Sequence, residues 1–286
     1  MICKKNRWLL LNNIKMEEVK ISVITVCYNA VDTLEKTIQS VLEQTYHNIE
    51  YIIIDGGSTD GTVEIIHRYV DYLAYWVSEP DRGIYDAMNK GIERATGEWV
   101  NFMNAGDYFY NYDVISNVFK VLQKADVMTG ISFMDYPKKK RLWFPPQELS
   151  FLNLYNGTLS HQASFIRSSL LKKIGYDEKY KIVSDWKFYL QVLILSDASY
   201  IPLNLIVSRH DNAGVSSNIE EREKERENIL NNLFPARILN DYKSFSKQGL
   251  IKKTIIYLFN HCNWLKRCAM VVLFAQDKRK LSRLAK

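Results

Sequence analysis

Apolar runs and amphipathic segments alternate along the first half of the chain. Residues 21–26 form a β-branched run typical of a buried strand, and 32–44 carry apolar residues at helical spacing. Further strands are predicted at 50–54, 75–78, 99–103 and 125–130, and further helices at 62–70, 85–95 and 114–124. Strands that alternate with helices predict an α/β fold, Rossmann-like, with a mostly parallel sheet and helices on both faces.

The second half is less regular. Its predicted elements are a β excursion over 131–144 with a turn at 138–141, a strand at 160–167, a helix at 185–195 and an extended segment at 199–209. From residue 219 the pattern is helical and charged. We therefore expect an N-terminal extension over 1–19, an α/β domain over 20–218 and a basic helical tail over 219–286.

Composition narrows the class of protein. The chain has 286 residues, 47% of them hydrophobic and 24% charged, which excludes a disordered or fibrous protein. No apolar run reaches the roughly 18 residues of a membrane span. The four cysteines lack CxxC spacing, which fits a reducing compartment better than a disulfide framework or a zinc site. Residues 1–15 lack the pattern of a secretory signal, and we expect Met16 to be a natural start.

The positive charge is concentrated in the tail. The formal net charge is +6, yet residues 219–286 hold 15 Lys and Arg against 7 Asp and Glu. Apolar residues at helical spacing begin at Ile251, between basic clusters, and predict an interfacial helix on anionic lipid. An ordinary helix packed on the domain is the alternative. The segregated charge argues against a nucleic-acid-binding core.

Two polar, glycine-containing segments follow predicted strands, at 55–61 and at 104–107. Ligands of open α/β sheets bind beyond the carboxyl ends of the strands. An aspartate there is a good ligand for Mg²⁺ or Mn²⁺ on a nucleotide, although each segment alone is equally explained as a plain turn. Neither GxGxxG after the first strand nor GxxxxGK[ST] occurs, which argues against dinucleotide and P-loop binding and against a nucleotidyltransferase.

Five ordered motifs together resemble family 2 glycosyltransferases of the GT-A fold. They are VITVCYN (23–29), IIIDGGSTDGT (52–62), SEPDRGIYDAMNKGIERATGEWVNFMNAGD (78–107), HQASF (161–165) and GYDEKYKIVSDWKF (175–188). The resemblance covers roughly residues 20–218, about three-quarters of the chain, and is strongest with enzymes that build bacterial surface polysaccharides.

The resemblance implies roles for individual residues. The implied donor-binding residues are Tyr28 at the base, Asp55 at the nucleoside, Asp81 near base and ribose, Arg82 facing phosphate, and Asn104. Asp107 takes the metal-binding role, and Asp185 matches the catalytic base. His161 and Gln162 lie near the acceptor or the diphosphate.

Two positions depart from the family pattern. Gly56 stands where a second aspartate often reads the base, and Asn104–Asp107 offers one carboxylate where the family usually has Asp-x-Asp. Structural alternatives stay open: His161 as a core histidine, Arg82 as a salt-bridge residue and Asp185 as a helix N-cap. His210 is interpreted as a loop residue outside the site.

The function implied by the resemblance is inverting transfer of a sugar from a nucleotide-diphosphate donor to a hydroxyl of a saccharide acceptor, with Mn²⁺ or Mg²⁺ as cofactor. We expect a lipid-linked acceptor, a cytoplasmic location at the inner face of the membrane, and peripheral membrane contact through the tail. A catalytically silent nucleotide-sugar-binding subunit is the alternative.

Overall fold

A computed structural model of the protein describes residues 19–120, 124–136, 139–210 and 218–244. Most of the predicted N-terminal extension and the basic segment from residue 251 onward lie outside these ranges. The chain divides into two compact units that meet between Arg226 and Glu227. The predicted domain boundary before Ile219 stays a prediction.

The described residues form an α/β arrangement in the predicted order. The strands are β1 (Ile21–Cys27), β2 (Ile49–Asp55), β3 (Tyr75–Ser78), β4 (Trp99–Phe102), β5 (Asp107–Phe109), β6 (Val127–Tyr136), β7 (Lys139–Trp143), β8 (Ser164–Arg167) and β9 (Tyr200–His210). The α-helices are α1 (Leu34–Leu42), α2 (Thr62–Arg68), α3 (Ile84–Arg94), α4 (Val114–Val118), α5 (Phe151–Asn156), α6 (Ser168–Ile174), α7 (Ser184–Tyr189) and α8 (Ile219–Leu233).

One sheet contains all of these strands, in the order β3-β2-β1-β4-β8-β6-β9-β5, with β7 paired to β6. The first four strands along the chain run parallel to one another. Beyond them, β8 runs antiparallel to both β4 and β6, whereas β9 is parallel to β6. The α/β fold that the sequence predicts is confirmed.

Helices cover both faces of the parallel part of the sheet. Leu34 and Ile38 of α1 are buried in one core cluster with Val23 of β1. The next residue of β1, Ile24, packs closely against α3. A Cβ added at Gly91 of α3 would lie 2.5 Å from the Ile24 side chain. Because neighbouring side chains of a strand point to opposite faces, α1 and α3 cover opposite sides.

Several predicted boundaries differ from the observed ones. The predicted strand at 160–167 begins with a 3₁₀ turn over His161–Ala163, and only Ser164–Arg167 is a strand. The reason lies in Asn101, whose amide nitrogen donates to the carbonyls of Gln162 and Ser164 where a regular ladder would continue. Helix α4 ends at Val118, earlier than predicted.

The remaining predicted elements of the second half agree with the structure in type. Strands β6 and β7 form the expected antiparallel excursion, but the turn predicted at 138–141 is wrong because β7 already begins at Lys139. Helix α7 continues into a π-helical segment over Leu190–Leu195. Within the part of the chain that the structure describes, no helix combines the length and apolar character needed to cross a bilayer.

Candidate active site

The carboxyl ends of the first three parallel strands meet at one edge of the sheet. Cys27, Asp55 and Ser78 are paired across β1, β2 and β3 in register. The loop after β2 is tied to the end of β1, because the Gly56 amide donates to the carbonyl of Cys27. The sequence argument that placed the segment 55–61 at a strand end is therefore confirmed.

Asp55 is fully buried and organises this loop. Its Oδ2 accepts hydrogen bonds from the amides of Gly57 (3.1 Å) and Ser58 (2.9 Å) and from the Ser78 hydroxyl (2.6 Å). Its Oδ1 accepts from the Ser58 hydroxyl and the Cys27 thiol. Burial alone would raise the pKa of Asp55, but these hydrogen bonds outweigh it and hold the pKa below its usual value. The carboxylate is thus ionised and engaged with the protein.

Gly56 makes room for Asp81 and Tyr28. A Cβ at position 56 would lie 2.4 Å from Asp81 Oδ2 and 3.3 Å from the ring of Tyr28. The other oxygen of Asp81 accepts from the Gly83 amide at 2.8 Å, so the carboxylate is held with Oδ2 toward Gly56. The Tyr28 side chain is 64% exposed beside it. The carboxylate of Asp81 therefore occupies the space that a second aspartate after Asp55 would fill.

Arg82 points away from this group. Its guanidinium is 75% exposed and pairs with Asp86 at 2.9 Å and with Glu178 at 2.7 Å. These two ion pairs are what the structural alternative for Arg82 expects. A contact between Arg82 and phosphate stays a prediction.

The segment 104–107 forms the turn after β4, next to β1. The Ala105 amide donates to the carbonyl of Val26, and Gly106 has a φ of +98°, which favours glycine. Asp107 begins β5 and lies opposite His210 in the pairing of β5 with β9. His210 is therefore the last residue of a strand beside the predicted metal ligand, so its interpretation as a loop residue is wrong.

A hydrogen-bonded chain runs from this turn to the predicted base. Asn104 Nδ2 lies 3.3 Å from His161 Nε2, and His161 Nδ1 lies 3.3 Å from Asp185 Oδ2. The Tyr85 hydroxyl lies 2.9 Å from Asp185 Oδ1. Three of the predicted site residues, in the turn after β4, the 3₁₀ turn and α7, are thus brought together, and Tyr85 at the start of α3 joins them.

The surroundings of His161 shift the pKa of its imidazole. Its burial alone would lower the pKa of the imidazole, but the hydrogen bond and charge of Asp185, and the charge of Asp107, raise it above the ordinary value of 6.5. The adjacent Gln162 is buried, and its Oε1 accepts from the Ser160 hydroxyl at 2.9 Å. Gln162 therefore helps to fix the turn that carries His161.

Asp185 lies in the first turn of α7 and does not cap it. The N-cap is Val183, and no side chain caps this helix end. The N-cap interpretation of Asp185 is therefore wrong. Its carboxylate is instead held by groups from two other elements, which is the arrangement that a fixed general base needs.

The donor set near residue 107 suits a cation that also binds phosphate. Among the described residues, no group of three His, Cys, Asp or Glu side chains converges as a metal site. Asp107 supplies a carboxylate, and Asn104 Oδ1 is buried with no hydrogen-bond partner among the residues that the structure describes. Mg²⁺ bound to a nucleotide needs only one or two protein carboxylates, because phosphate and water complete its shell. These residues fit such an ion.

The comparison with known families agrees with this geometry. The family model described as glycosyl transferase family 2 matches residues 22–183. The chain belongs to glycosyltransferase family 2. The matched region contains most of the candidate site, including the Asn104–His161 contact, and it ends two residues before Asp185.

Two relatives of this glycosyltransferase are mycobacterial proteins. It is 36% identical over 206 residues to an uncharacterized glycosyltransferase of Mycobacterium tuberculosis, covering 70% of this chain and 78% of the relative. It is 29% identical over 210 residues to a PGL/p-HBAD biosynthesis glycosyltransferase of Mycobacterium bovis, covering 71% and 81%. These two matches cover 70% and 71% of the present chain.

A solved structure supports the fold assignment. S. aureus TarS 1–349 in complex with UDP matches with a TM-score of 0.58 and 23% identity, over 80% of this chain and 73% of that one. A longer TarS chain is matched over only 36% of its length. At this identity the likeness shows the GT-A fold and leaves the substrate open.

Proposed function

We propose that the protein transfers a sugar from a nucleoside diphosphate donor to a hydroxyl of a saccharide acceptor, with inversion at the anomeric carbon. The observation that carries this proposal is the hydrogen-bonded chain Asn104–His161–Asp185–Tyr85 beside the carboxyl ends of β1 and β4. It holds a carboxylate between an imidazole and a phenol, in a family of glycosyltransferases.

The nucleoside end of the donor would lie against Tyr28 and Asp81. The exposed Tyr28 ring offers a face on which a base can stack, and Asp81 Oδ2 offers an acceptor for an N–H of the base. Asp55 would act through the loop that it holds, since its oxygens are engaged with Ser58 and Ser78. The donor role of each residue is a prediction from the family resemblance.

The transfer step assigns the proton to Asp185. The acceptor oxygen forms a bond to the anomeric carbon while the bond from that carbon to the diphosphate oxygen breaks. The acceptor's proton passes to the Asp185 carboxylate. The nucleoside diphosphate leaves with its bonding electrons. The His161 imidazole lies between Asn104 and Asp185, on the path from the turn after β4 to the base.

Asp107 and Asn104 are the residues that would hold a divalent cation. When bound, Mn²⁺ or Mg²⁺ supplies positive charge that stabilises the leaving diphosphate. The support for this assignment is the carboxylate of Asp107 together with the amide oxygen of Asn104, which has no hydrogen-bond partner in the described part of the chain.

The proposal also covers the class of acceptor and the place of the enzyme in the cell. A relative named for PGL/p-HBAD biosynthesis supports an acceptor that belongs to a glycolipid or cell-surface saccharide. We place the enzyme in the cytoplasm at the inner face of the membrane, with the basic segment from residue 251 on anionic lipid. Truncation after residue 248 would then abolish salt-sensitive binding to anionic vesicles and leave donor binding intact.

The donor is testable without knowing the acceptor. A thermal-shift screen of UDP-, GDP- and dTDP-sugars with Mn²⁺ should give one base that raises the melting temperature, because a ligand that binds only the folded state stabilises it. Slow release of nucleoside diphosphate from that donor, with water as acceptor, should depend on the cation. Binding without release under any condition would favour the silent binding subunit instead.

A further inference from the structure

Helix α8 contacts the segment that leads into the predicted base. The Glu225 carboxylate accepts hydrogen bonds from three consecutive backbone amides, those of Lys181 (2.7 Å), Ile182 (3.0 Å) and Val183 (3.3 Å). These residues directly precede Ser184, where α7 begins, and Asp185 follows. A carboxylate that accepts several backbone N–H groups forms charge-assisted bonds, which are about twice as strong as neutral ones.

Arg226, the next residue of α8, contacts the residue that follows Asp185. The Arg226 guanidinium lies 3.9 Å from the centre of the Trp186 ring. It also donates to the carbonyls of Leu154 (3.2 Å) and Tyr155 (2.9 Å), and the Trp186 indole donates to the Leu154 carbonyl at 2.7 Å. These contacts hold Trp186, one residue after Asp185, against α5.

The two contacts differ from an ordinary charged helix surface. Glu220, Glu221, Glu223 and Glu227 of α8 are exposed, whereas Glu225 and Arg226 are half-buried against the protein. The Tyr85 hydroxyl, which lies 2.9 Å from Asp185 Oδ1, also lies 2.9 Å from the carbonyl of Ile182. The Tyr85 hydroxyl, which has a single proton to donate, thus lies between the loop that Glu225 holds and the carboxylate of Asp185.

We infer that Glu225 and Arg226 are positioning residues that hold the Asp185 carboxylate in its working geometry. The inference rests on the proposed role of Asp185. It assigns a catalytic contribution to a helix that lies beyond the region matched by the family model. A displacement of about 1 Å at a reacting group costs roughly a hundredfold in rate, so loss of either contact should act on turnover more than on donor binding.

The test compares Glu225→Ala and Glu225→Gln with Glu223→Gln, an exposed control in the same helix, and with Asp185→Asn. The probe is the nucleotide sugar, chosen from UDP-, GDP- and dTDP-hexoses, that gives the largest thermal shift with Mn²⁺. Nucleotide release gives kcat and KM, calorimetry gives nucleotide affinity, and hydrogen exchange follows the amides of 181–183.

We expect Glu225→Ala to lower kcat by roughly 10- to 100-fold. Nucleotide affinity should change less than about twofold, and the amides of 181–183 should lose protection. Glu225→Gln keeps one acceptor oxygen, so its kcat should lie between those of Glu225→Ala and the wild type. If Glu225→Ala does not fold, Glu225→Gln replaces it in the comparison. Glu223→Gln should match the wild type.

Three results would overturn the inference. Wild-type kcat in the Glu225 variants despite lost protection at 181–183 would show that the contact does not position the base. Parallel loss of nucleotide affinity, melting temperature and turnover would reduce Glu225 to a structural residue. In both cases a slow Asp185→Asn variant leaves the proposed function standing. A wild-type rate in Asp185→Asn would instead refute the base assignment itself, and the positioning role with it.

Discussion

The Tyr85 hydroxyl lies 2.9 Å from Asp185 Oδ1, although the two residues are 100 positions apart in the chain. Burial, followed by the negative charge of Asp185, raises the pKa of Tyr85 well above its ordinary value. The phenol therefore stays protonated and donates to the carboxylate. One oxygen of Asp185 is oriented by Tyr85 and the other faces His161.

Tyr85→Phe should slow transfer while the donor still binds. A hydrogen bond to a charged group contributes about 1.5–3 kcal/mol, so we expect kcat for nucleotide release to fall by roughly 10- to 100-fold. The nucleotide Kd from calorimetry should stay within about twofold. Tyr85 contacts the proposed catalytic base, Asp185, whereas the nucleoside is expected to bind at Tyr28 and Asp81.

Tyr176→Phe is the matched control. The rings of Tyr85 and Tyr176 are 5.5 Å apart, and the buried Tyr176 hydroxyl has no hydrogen-bond partner among the described residues. Removing a hydroxyl that makes no bond should leave kcat unchanged and the melting temperature equal or slightly higher. Equal losses of activity in the two variants would contradict a specific role for Tyr85.

Asp185→Asn tests the base directly. An amide cannot take the acceptor's proton at neutral pH, and general base catalysis contributes about 10²–10⁴-fold, so transfer should fall by that order. Tyr85 can still donate to the amide oxygen, and no helix cap is lost, so the melting temperature should change little. Asp177→Asn, which removes a carboxylate that pairs with Lys187, is the control and should keep its rate.

The parts of the site that follow a single strand could be predicted from the sequence. The β-branched runs predict the bounds of β1 and β2 to within a residue or two. The polar segments after β2 and β4 lie, as expected, at the sheet edge where the parallel strands end. Local patterns decide these features, because burial and strand direction follow from composition and alternation.

The contacts between distant segments could not be predicted in this way. Tyr85 reads as one residue of an amphipathic helix, and nothing local links it to Asp185. Glu225 stands in a charged run that is typical of a solvated helix face, although it binds three backbone amides. The N-cap interpretation of Asp185 was wrong because a short polar side chain near a helix start can bind either the backbone amides of that helix or groups from other elements. Asp185 contacts Tyr85 and His161 and does not cap the helix.

Removal of the carboxylate at position 107 should remove cation dependence. Asp107→Asn keeps the size of the side chain but loses its charge, so Mn²⁺ should no longer increase the thermal shift caused by nucleoside diphosphate. Asp113→Asn is the control, since Asp113 is an exposed residue that accepts from the Thr45 hydroxyl at 2.9 Å. Full Mn²⁺ dependence in Asp107→Asn would move the cation elsewhere.

Glu50 should make stability depend on acid pH. Its burial would raise the pKa, but bonds from Lys20, Ser22 and Thr96 lower it to about 2. Because the folded pKa lies below the unfolded value of 4.5, this stabilisation is present above pH 4.5 and is lost as the pH falls toward 2. Glu50→Gln should cost on the order of 2 kcal/mol of unfolding free energy at pH 7.

Urea unfolding of the wild type and Glu50→Gln at several pH values between 7 and 2.5 checks the sign. The difference between the two proteins should shrink as the pH falls below 4.5. Glu43→Gln, at an exposed position after α1, should show no such difference. A gap that stays constant down to pH 2.5 would mean that Glu50 contributes by packing and not by charge.

Gly56→Ala should weaken nucleotide binding with little effect on stability. The new Cβ would lie 2.4 Å from Asp81 Oδ2, so the carboxylate must move and weaken its solvent-exposed hydrogen bond from the Gly83 amide. The melting temperature should therefore change little. The Asp81 carboxylate, however, would leave the position in which it is expected to bind the nucleobase. A lost hydrogen bond to a charged group predicts a rise in nucleotide Kd of roughly 10-fold or more.

A double-mutant cycle with Asp81→Asn separates this effect from a general disturbance of the loop. If both changes act on the same carboxylate, their effects on the binding free energy should not add, and Gly56→Ala with Asp81→Asn should bind about as weakly as Asp81→Asn alone. Binding of ADP, a nucleotide with a different base, controls for the phosphate contacts. Additive losses would mean that position 56 and Asp81 act independently, and that Asp81 does not replace the missing aspartate.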